Sequence, residues 1–352
     1  MTLRISPVRS AFLMAMTLFP AVASAEFKGG DPLVEASGNW TDLLDGGGSF
    51  AYQKSRLEFR VARPVKENVA AHLWLPNRGS TTQDWYLQVD THLDTPKLRD
   101  GGIALLSLAV GNSRKSAADQ VCLISSARAR RNGISKSAVL VNTYPGHESH
   151  KSIRSADTTL RLHFDSAAKT LTGSWNAGEG WKYAPPVNIA DWKMKSSDEF
   201  AAVLTAASIG PSGKGLEIAS GVAYYKNFKT GKATPDIAVE QPAGGDLTDD
   251  AAKISFGTVG IRSGKMTKTF VIRNTGTARL QGLQMFCNGP DAADFTFTAP
   301  ARNILPPGES VTFKVAFAPE TAGTRNAALH IASNDKNEAI FDIALTGLGV
   351  DP

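Results

Sequence analysis

The sequence consists of short apolar runs in which large apolar residues alternate with polar or small ones, and helical periodicity is nearly absent. The run SVTFKVAFAP shows this pattern most clearly, because Val311, Phe313, Val315 and Phe317 are separated by single polar or small residues. A period of two places successive side chains on opposite faces of a β-strand. Many such runs, separated by Gly, Asn, Asp and Pro, predict an all-β chain built from sandwich domains.

The first 25 residues have the three parts of a secretory signal. Arg4 and Arg9 form a basic segment, AFLMAMTLFPAV is apolar, and ASA (residues 23–25) offers small residues to signal peptidase. The apolar run is too short to span a bilayer, and no later run is apolar enough to do so. We therefore predict a cleaved signal peptide over 1–25 and an exported chain, either extracellular or periplasmic, with an uncleaved anchor as the alternative.

Two domains are predicted for the remaining chain, 26–233 and 234–352. The joint is the short segment GKATPD, residues 231–236. Residues 26–235 carry 26 Lys and Arg against 20 Asp and Glu, or +6, and residues 236–352 carry 10 against 13, or −3. This asymmetry supports a boundary here but is too small to indicate nucleic-acid binding. The basic segment ARARRNGISK (127–136) lacks interleaved aromatic residues, and we predict a solvated loop.

All six tryptophans lie in the first domain, at positions 40, 74, 85, 175, 181 and 192. Aromatic rings stack on the C–H faces of sugars while planar polar groups bind the hydroxyls, so the outward residues of this domain are candidates for a ligand site. Alternation predicts which side chains face the core in the strands around 85–93, 158–164 and 222–228. The apolar residues and Tyr224 are predicted to point inward, and the residues between them are predicted to point outward. The segment NAGEGWKYAPP is predicted to form a loop that carries Trp181 and Tyr183. With Trp181 added from this loop, the predicted ligand-binding set is Tyr86, Gln88, Asp90, His92, Arg161, His163, Trp181, Tyr225 and Asn227.

The second domain resembles the ASH-type immunoglobulin-like domain of hydin-like and choice-of-anchor D proteins. The resemblance rests on FGTVGIRSGKMTKTFVIRNTGTARLQGL, ADFTF, LPPGESVTFKVAFAPETAGTRNAALHIASND and IALTGLG, and it covers nearly all of 235–350. It implies a non-enzymatic spacer or interaction module with a protein as its partner.

The first domain is similar to concanavalin A-like lectin and glucanase (LamG-like) jelly rolls. The similarity rests on SRLEFRV, DWYLQVDTHL, TLRLHFDSAAKTLTGSWNAGEGW and SGVAYYKNFKTG. Members of such a fold bind glycans, cleave glycans or mediate adhesion, so the similarity implies the fold and leaves the activity open.

Paired catalytic carboxylates are not apparent along any one strand. Glycoside hydrolysis needs two carboxyl groups roughly 5–10 Å apart, whereas Asp84 and Asp90 are separated by about 20 Å along an extended strand and Asp90 and Asp94 by about 13 Å. Cross-strand pairs remain open. The segment HESH (147–150) lacks the spacing of a zinc helix and is predicted to form a surface loop, and SNDKNE (333–338) is predicted to form a turn. We predict no catalytic residue, no metal and no cofactor.

Cys122 and Cys287 fall in different predicted domains, which favours two free thiols over a bridge. The sequence as a whole predicts an exported, non-enzymatic, bacterial two-domain β protein whose jelly roll binds a ligand, most plausibly a glycan or cell-surface polymer. The alternatives are a glycoside hydrolase with cross-strand carboxylates and a purely structural cell-surface protein.

Overall fold

The computed structural model describes residues 40–42, 48–53, 55–61, 69–94, 98–112, 121–144, 147–210, 218–262 and 264–351. The predicted signal peptide lies outside these residues. The chain divides into two compact units, and the division falls between Lys232 and Ala233. Each unit is an antiparallel β-sandwich with its own apolar core, apart from one parallel strand pair in the second.

The first unit is a jelly-roll sandwich of two sheets, and a 3-10 turn spans Ala190–Trp192. Its strands are β1 (Trp40–Asp42), β2 (Gly48–Gln53), β3 (Arg56–Val61), β4 (Val69–Ser80), β5 (Trp85–Leu93), β6 (Ile103–Asn112), β7 (Val121–Arg131), β8 (Ile134–Tyr144), β9 (His147–Ile153), β10 (Asp157–Asp165), β11 (Thr170–Asn176), β12 (Trp181–Tyr183), β13 (Val187–Asn188), β14 (Glu199–Ile209) and β15 (Ala223–Lys232). The back sheet has the order β1-β4-β14-β6-β7-β8-β9. The front sheet has the order β12-β11-β10-β5-β15-β3-β2, with β13 also paired to β11.

Aromatic packing between the two sheets fixes the centre of the first core. Trp85 lies 5.5 Å from Phe164 and 5.0 Å from Phe200, measured between ring centroids. Gly79 makes room for this indole, since a Cβ there would lie 2.3 Å from Trp85 Cε2. Burial of such rings supplies much of the apolar area that stabilises a sandwich of this size.

The central strands of the back sheet are buried on both faces. Leu106 and Leu108 belong to the core between the sheets, whereas Leu105, Leu123 and Val203 are equally buried but lie outside that cluster. This double burial explains why GIALLSLAVG and EFAAVLTAAS are almost continuously apolar, because alternation appears only where one face meets water.

Two predicted loops are parts of strands. The basic segment 127–136 forms the end of a β7–β8 hairpin whose two-residue turn is Asn132-Gly133, with φ of 51° and 76°. Asn-Gly is the preferred sequence for such a turn because both central residues have positive φ. The segment HESH forms the start of β9, at the edge of the back sheet. The loop predictions were therefore wrong, although the hairpin tip is exposed as expected.

The second unit is an immunoglobulin-like sandwich of two four-stranded sheets, with orders β16-β18-β23-β21 and β17-β25-β24-β20. Its strands are β16 (Ile237–Glu240), β17 (Ala252–Gly260), β18 (Met266–Asn274), β19 (Leu280–Gln281), β20 (Gln284–Asn288), β21 (Phe295–Phe297), β22 (Ile304–Leu305), β23 (Ser310–Phe317), β24 (Gly323–Ala332) and β25 (Ile340–Val350). A 3-10 turn spans Ala292–Asp294. The alternation predicted for β23 is confirmed, because Val311, Phe313, Val315 and Phe317 all face the core.

Both cysteines are free thiols. Cys122 lies in the core of the first unit, where burial raises its pKa to about 12, and Cys287 is half-buried on β20. A helix long and apolar enough to span a bilayer is not found in the described part of the chain.

Candidate functional site

The outward side of the front sheet forms a polar face, and β5 crosses its middle. Along β5 the side chains alternate strictly between buried and half-buried. The half-buried ones are Tyr86, Gln88, Asp90 and His92, the four that the sequence analysis turned outward. We call the outward side chains of β3, β15, β5, β10, β11 and β12 the polar face.

Strand β10 brings the next candidates beside these four. Its register pairs Arg161 with Gln88 and His163 with Tyr86, and paired residues share a face of the sheet. The Arg161 Nε and Nη2 groups donate hydrogen bonds of 3.0 and 2.7 Å to Gln88 Oε1. Candidates that are more than 70 residues apart in the sequence are therefore direct neighbours on the polar face.

Aromatic rings surround the Arg161 guanidinium. Its Cζ lies 3.6 Å from the centroid of the Trp181 ring and 5.6 Å from that of Tyr86. Burial lowers the pKa of Arg161, and coulombic interaction with Tyr183 and Tyr86 opposes that shift. We call Arg161, Gln88, Tyr86 and Trp181 the Arg161 cluster.

Two strands at the edge of this region position the rings. Trp181 and Tyr183 were predicted on a loop, but they form the short edge strand β12, which pairs with β11. On the other side, Gly231 is the register partner of Tyr86. A Cβ at position 231 would lie 2.9 Å from Tyr86 Cε1, so the glycine allows the phenol to lie close against β15.

Tyr225 does not belong to the polar face, and the prediction that it points outward was wrong. Its side chain is fully buried between the sheets. Its hydroxyl donates to the Thr205 carbonyl at 2.5 Å and accepts from the Ser107 N–H at 2.8 Å. Tyr224 takes the outward position instead.

A β-bulge in β15 explains this error. The register between β15 and β5 shifts between Lys226 and Lys229, and Asn227 has a φ of 53°. An extra residue reverses the phase of alternation, so Tyr225 and Phe228 both face the core although they are three positions apart. Asn227 is exposed as predicted, and its Nδ2 donates a 2.8 Å hydrogen bond to Asp90 Oδ2.

Tyr224 forms a second cluster that sequence reasoning missed. The His92 ring stacks on it at 4.6 Å between centroids, and the Arg56 guanidinium lies 4.4 Å from the Tyr224 centroid. His92 Nδ1 lies 2.9 Å from Asp157 Oδ1. We call Arg56, Tyr224, His92 and Asp157 the Tyr224 cluster. Asn227 was the available signal, since asparagine tolerates the left-handed conformation that bulges use.

Glu58 lies beside the Tyr224 cluster and is fully buried. Burial alone would raise the pKa of its carboxyl, but hydrogen bonds from Ser220, Arg60 and Arg56 outweigh that effect and lower the pKa to about 2. Glu58 is therefore ionised at neutral pH, the opposite of what a general acid requires.

His163 lies on the polar side of β10 as predicted, but it is buried rather than exposed to solvent. Tyr183 contacts its ring edge-on, with 6.4 Å between centroids. Neither ring nitrogen has a hydrogen-bond partner among the described residues, and the Ser174 hydroxyl nearby is also buried and unpartnered. Ser174 is the register partner of both Arg161 and Tyr183.

Carboxylates also gather in the second unit, where the SNDKNE segment forms a turn. Oxygen atoms of Asp236, Asp335 and Glu338 lie within 4.8 Å of one another and could hold a cation. Asp335 already accepts hydrogen bonds from the backbone N–H groups of Ile237 and Asn337. These bonds give the acidic group a structural role in tying the turn to β16.

Comparisons with known proteins give similarities to parts of the chain. Residues 246–350, which lie within the second unit, match the family model of Cep192 domain 4. The ASH resemblance of this unit stays a prediction. No curated protein matches the sequence.

Solved structures similar to the chain include lectins. Lectin I-B4 of Griffonia simplicifolia, in its metal-free form, is 12% identical with a TM-score of 0.37, covering 57% of this chain and 97% of the lectin. The exoplasmic/lumenal domain of VIP36, solved in a Ca²⁺/Man3GlcNAc-bound form, is 15% identical with a TM-score of 0.36, covering 61% of this chain and 90% of that domain. An alginate lyase of Pseudomonas aeruginosa is 12% identical with a TM-score of 0.32, covering 54% and 86%. At these values the likenesses carry no argument about function.

Proposed function

We propose that the first unit binds a glycan on the polar face of its front sheet and has no catalytic activity. The observation that carries this proposal is the grouping of half-buried aromatic rings with planar hydrogen-bonding side chains on one face of β5, β10 and β12. Tyr86 and Trp181 supply rings, and Gln88 and Arg161 supply donors and acceptors beside them. This combination suits a sugar, whose C–H faces stack on rings while its hydroxyls need directional partners.

Loss of one stacking ring tests the proposal. In a glycan array followed by calorimetry on the full chain, we expect Tyr86→Ala to weaken binding of the best saccharide by about fivefold to tenfold, the magnitude of one aromatic contact. The melting temperature should hardly change, because the Tyr86 side chain lies outside the core between the sheets.

Phe286→Ala provides the matched control. Phe286 is 45% exposed and lies in the second unit, so its removal deletes an accessible ring that does not belong to the polar face. Binding should be unaffected by this change. If no saccharide binds, the purely structural alternative is favoured. If both variants weaken binding equally, the polar face is not the glycan site.

Glycoside hydrolysis remains the rival function, and one cross-strand pair favours it. Asp90 pairs with Thr159, and Asp157 lies two residues from Thr159 on the same face, which places the two aspartates about 7–8 Å apart at Cα. Both carboxylates are engaged, Asp90 by Thr159 and Asn227 and Asp157 by His92. If the protein hydrolyses a polysaccharide and Asp90→Asn or Asp157→Asn abolishes this activity, glycoside hydrolysis would be the function in place of the proposed binding.

The second unit, in this proposal, serves as a spacer or as a docking surface for a protein partner. All six tryptophans and all six tyrosines belong to the other unit, so this one lacks the aromatic residue types that combine a ring with a hydrogen-bonding group. The chain is exported through the signal sequence at 1–25 and acts at the bacterial cell surface or in its surroundings. Mass spectrometry of protein recovered from the medium tests the export, with a mature N-terminus expected at Glu26.

A further inference from the structure

We infer that the Arg161 cluster selects a sugar that carries a carboxylate, so that the ligand of the polar face is an acidic glycan. This inference rests on the proposed glycan binding and names its ligand class. Three features of the described residues support it: the unpaired charge of Arg161, the orientation of its guanidinium, and the buried polar atoms beside it.

Arg161 is a half-buried cation to which the described residues supply no carboxylate partner. Several other partly buried arginines of this protein are paired with acids. Arg60 contacts Glu58 at 2.6 Å, and in the second unit Arg273 contacts Glu240 at 2.7 Å. Buried charges are normally paired, so an unpaired arginine on an accessible face points to an anion supplied by a ligand.

The acidic residue nearest to Arg161 in register does not fill this role. Asp90 is the diagonal neighbour of Arg161 across β5 and β10. One of its oxygens accepts a 2.7 Å hydrogen bond from Thr159, and the other accepts from Asn227. The acid is thus held by its own partners, and the charge of Arg161 remains available.

The guanidinium is fixed in one orientation. Trp181 packs 3.6 Å from its Cζ, and Gln88 accepts from Nε and Nη2. Among the described residues Nη1 has no acceptor, so its N–H groups and the second N–H of Nη2 remain for a ligand. A guanidinium edge matches the two oxygens of a carboxylate, which gives both affinity and directional selection.

Buried polar atoms flank the guanidinium on the same face. His163 lies two residues from Arg161 along β10, and Ser174 lies beside it on β11. Both His163 ring nitrogens and the Ser174 hydroxyl lack partners in the described part of the chain. A neutral imidazole offers one donor and one acceptor, and a hydroxyl offers both, which are the groups that sugar hydroxyls need. The site therefore combines a cation for the acid with unsatisfied polar atoms directly beneath the surface.

The test compares acidic sugars with their uncharged esters. Hexamers of galacturonate, glucuronate and mannuronate are titrated against the full chain, each beside its methyl ester, which keeps the ring and removes the charge. We expect at least one acid to bind about tenfold more tightly than its ester, as a charge-assisted bidentate contact should. Arg161→Gln should abolish this preference, and Arg161→Lys should restore part of it.

Lys136→Gln is the matched control. Lys136 is exposed on β8 of the back sheet and does not belong to the polar face, so this change removes the same charge without altering the Arg161 cluster. It should leave the preference for the acid within about twofold, since exposed charges are largely screened. An equal loss in both variants would mean that net charge, rather than the cluster, selects the ligand.

The outcomes separate this inference from the proposed function. Binding of neutral glycans or esters that depends on Tyr86 but shows no preference for the acid would overturn the inference and leave glycan binding intact. Binding only of sulfated sugars would overturn the choice of a carboxylate. Failure of every saccharide to bind would overturn both.

Discussion

His163 is an imidazole that the folded state keeps neutral. Burial, followed by the positive charge of Arg161, lowers the pKa of its ring to about 3, against a smaller opposing effect of Asp84. In the unfolded chain the same ring has a pKa near 6.5. Below pH 6.5 the unfolded state therefore binds a proton that the folded state does not, which favours unfolding.

Well above pH 6.5 His163 is neutral in both the folded and the unfolded state, so it does not affect the free energy of unfolding. As the pH falls from 6.5 towards 3, protonation of His163 in the unfolded state progressively lowers that free energy. Between pH 6.5 and pH 5 we expect it to remove about 2 kcal/mol from the free energy of unfolding of the first unit. Urea unfolding followed by tryptophan fluorescence measures this quantity, because all six tryptophans lie in that unit.

A variant pair isolates the effect. His163→Gln should flatten the pH dependence over this range, whereas His330→Gln, which changes a histidine of the second unit, should leave it as in the natural chain. Equal pH slopes in the natural chain and in His163→Gln would show that the ring titrates normally in the folded state.

Strand β15 shows how a single backbone irregularity shapes the polar face. The bulge at Asn227 sends Tyr225 inwards to bridge the sheets and leaves Tyr224 outwards against His92. It also directs Asn227 towards Asp90. The composition of the polar face around the Tyr224 cluster thus depends on one residue with positive φ.

Substitution at the bulge gives a prediction for this element. Asn227→Val should destabilise the first unit by about 1–2 kcal/mol, because a β-branched residue is strained at positive φ and the bond to Asp90 is lost. Asn227→Gly loses the same bond without the strain and should cost about 1 kcal/mol less. Urea unfolding measures the difference in free energy of unfolding between the two variants. Equal free energies for Asn227→Val and Asn227→Gly would show that a β-branched side chain at position 227 does not strain the bulge.

The elements differ in how well the sequence predicts them. Strands β5 and β23 were predicted correctly because one face meets the core and the other meets water, which produces alternation. The orientation of Tyr225 was predicted wrongly because alternation assumes an unbroken pleat. Trp181 was predicted on a loop because the edge strand β12 has only three residues, too few to show a period.

The Arg161 cluster was predicted only as a set of outward residues. Alternation brought Tyr86, Gln88 and Arg161 to the candidate set, but the contact between Arg161 and Trp181 depends on the order of β12, β11 and β10 in the sheet. Strand order and register are products of tertiary packing, which a single sequence does not display. The burial of His163 beneath neighbouring side chains has the same origin.

At the scale of the whole molecule, each unit has a complete core of its own. The first core is centred on Trp85, Phe164 and Phe200, and the second includes Phe256 and Phe317. A domain with its own apolar core can in principle fold alone. We expect the segments 26–232 and 233–352 to fold separately.

Calorimetry of the two segments and of the full chain tests this expectation. Each segment should give one cooperative transition, and the tryptophan fluorescence of the full chain should follow only that of segment 26–232. A segment 233–352 that stays unfolded alone would place the boundary elsewhere or make the second unit dependent on the first.

The unpartnered polar atoms beneath the aromatic rings of the first unit have an evolutionary consequence. A buried hydroxyl or imidazole nitrogen without a hydrogen bond costs a fold about 1–3 kcal/mol, and Ser174 and His163 both carry such atoms. Alanine or another apolar residue at these positions would relieve that cost. Selection for robustness alone would favour such replacements. Under the proposed function, serine and histidine at these positions exchange stability for binding, and the folded state is less stable than it could be.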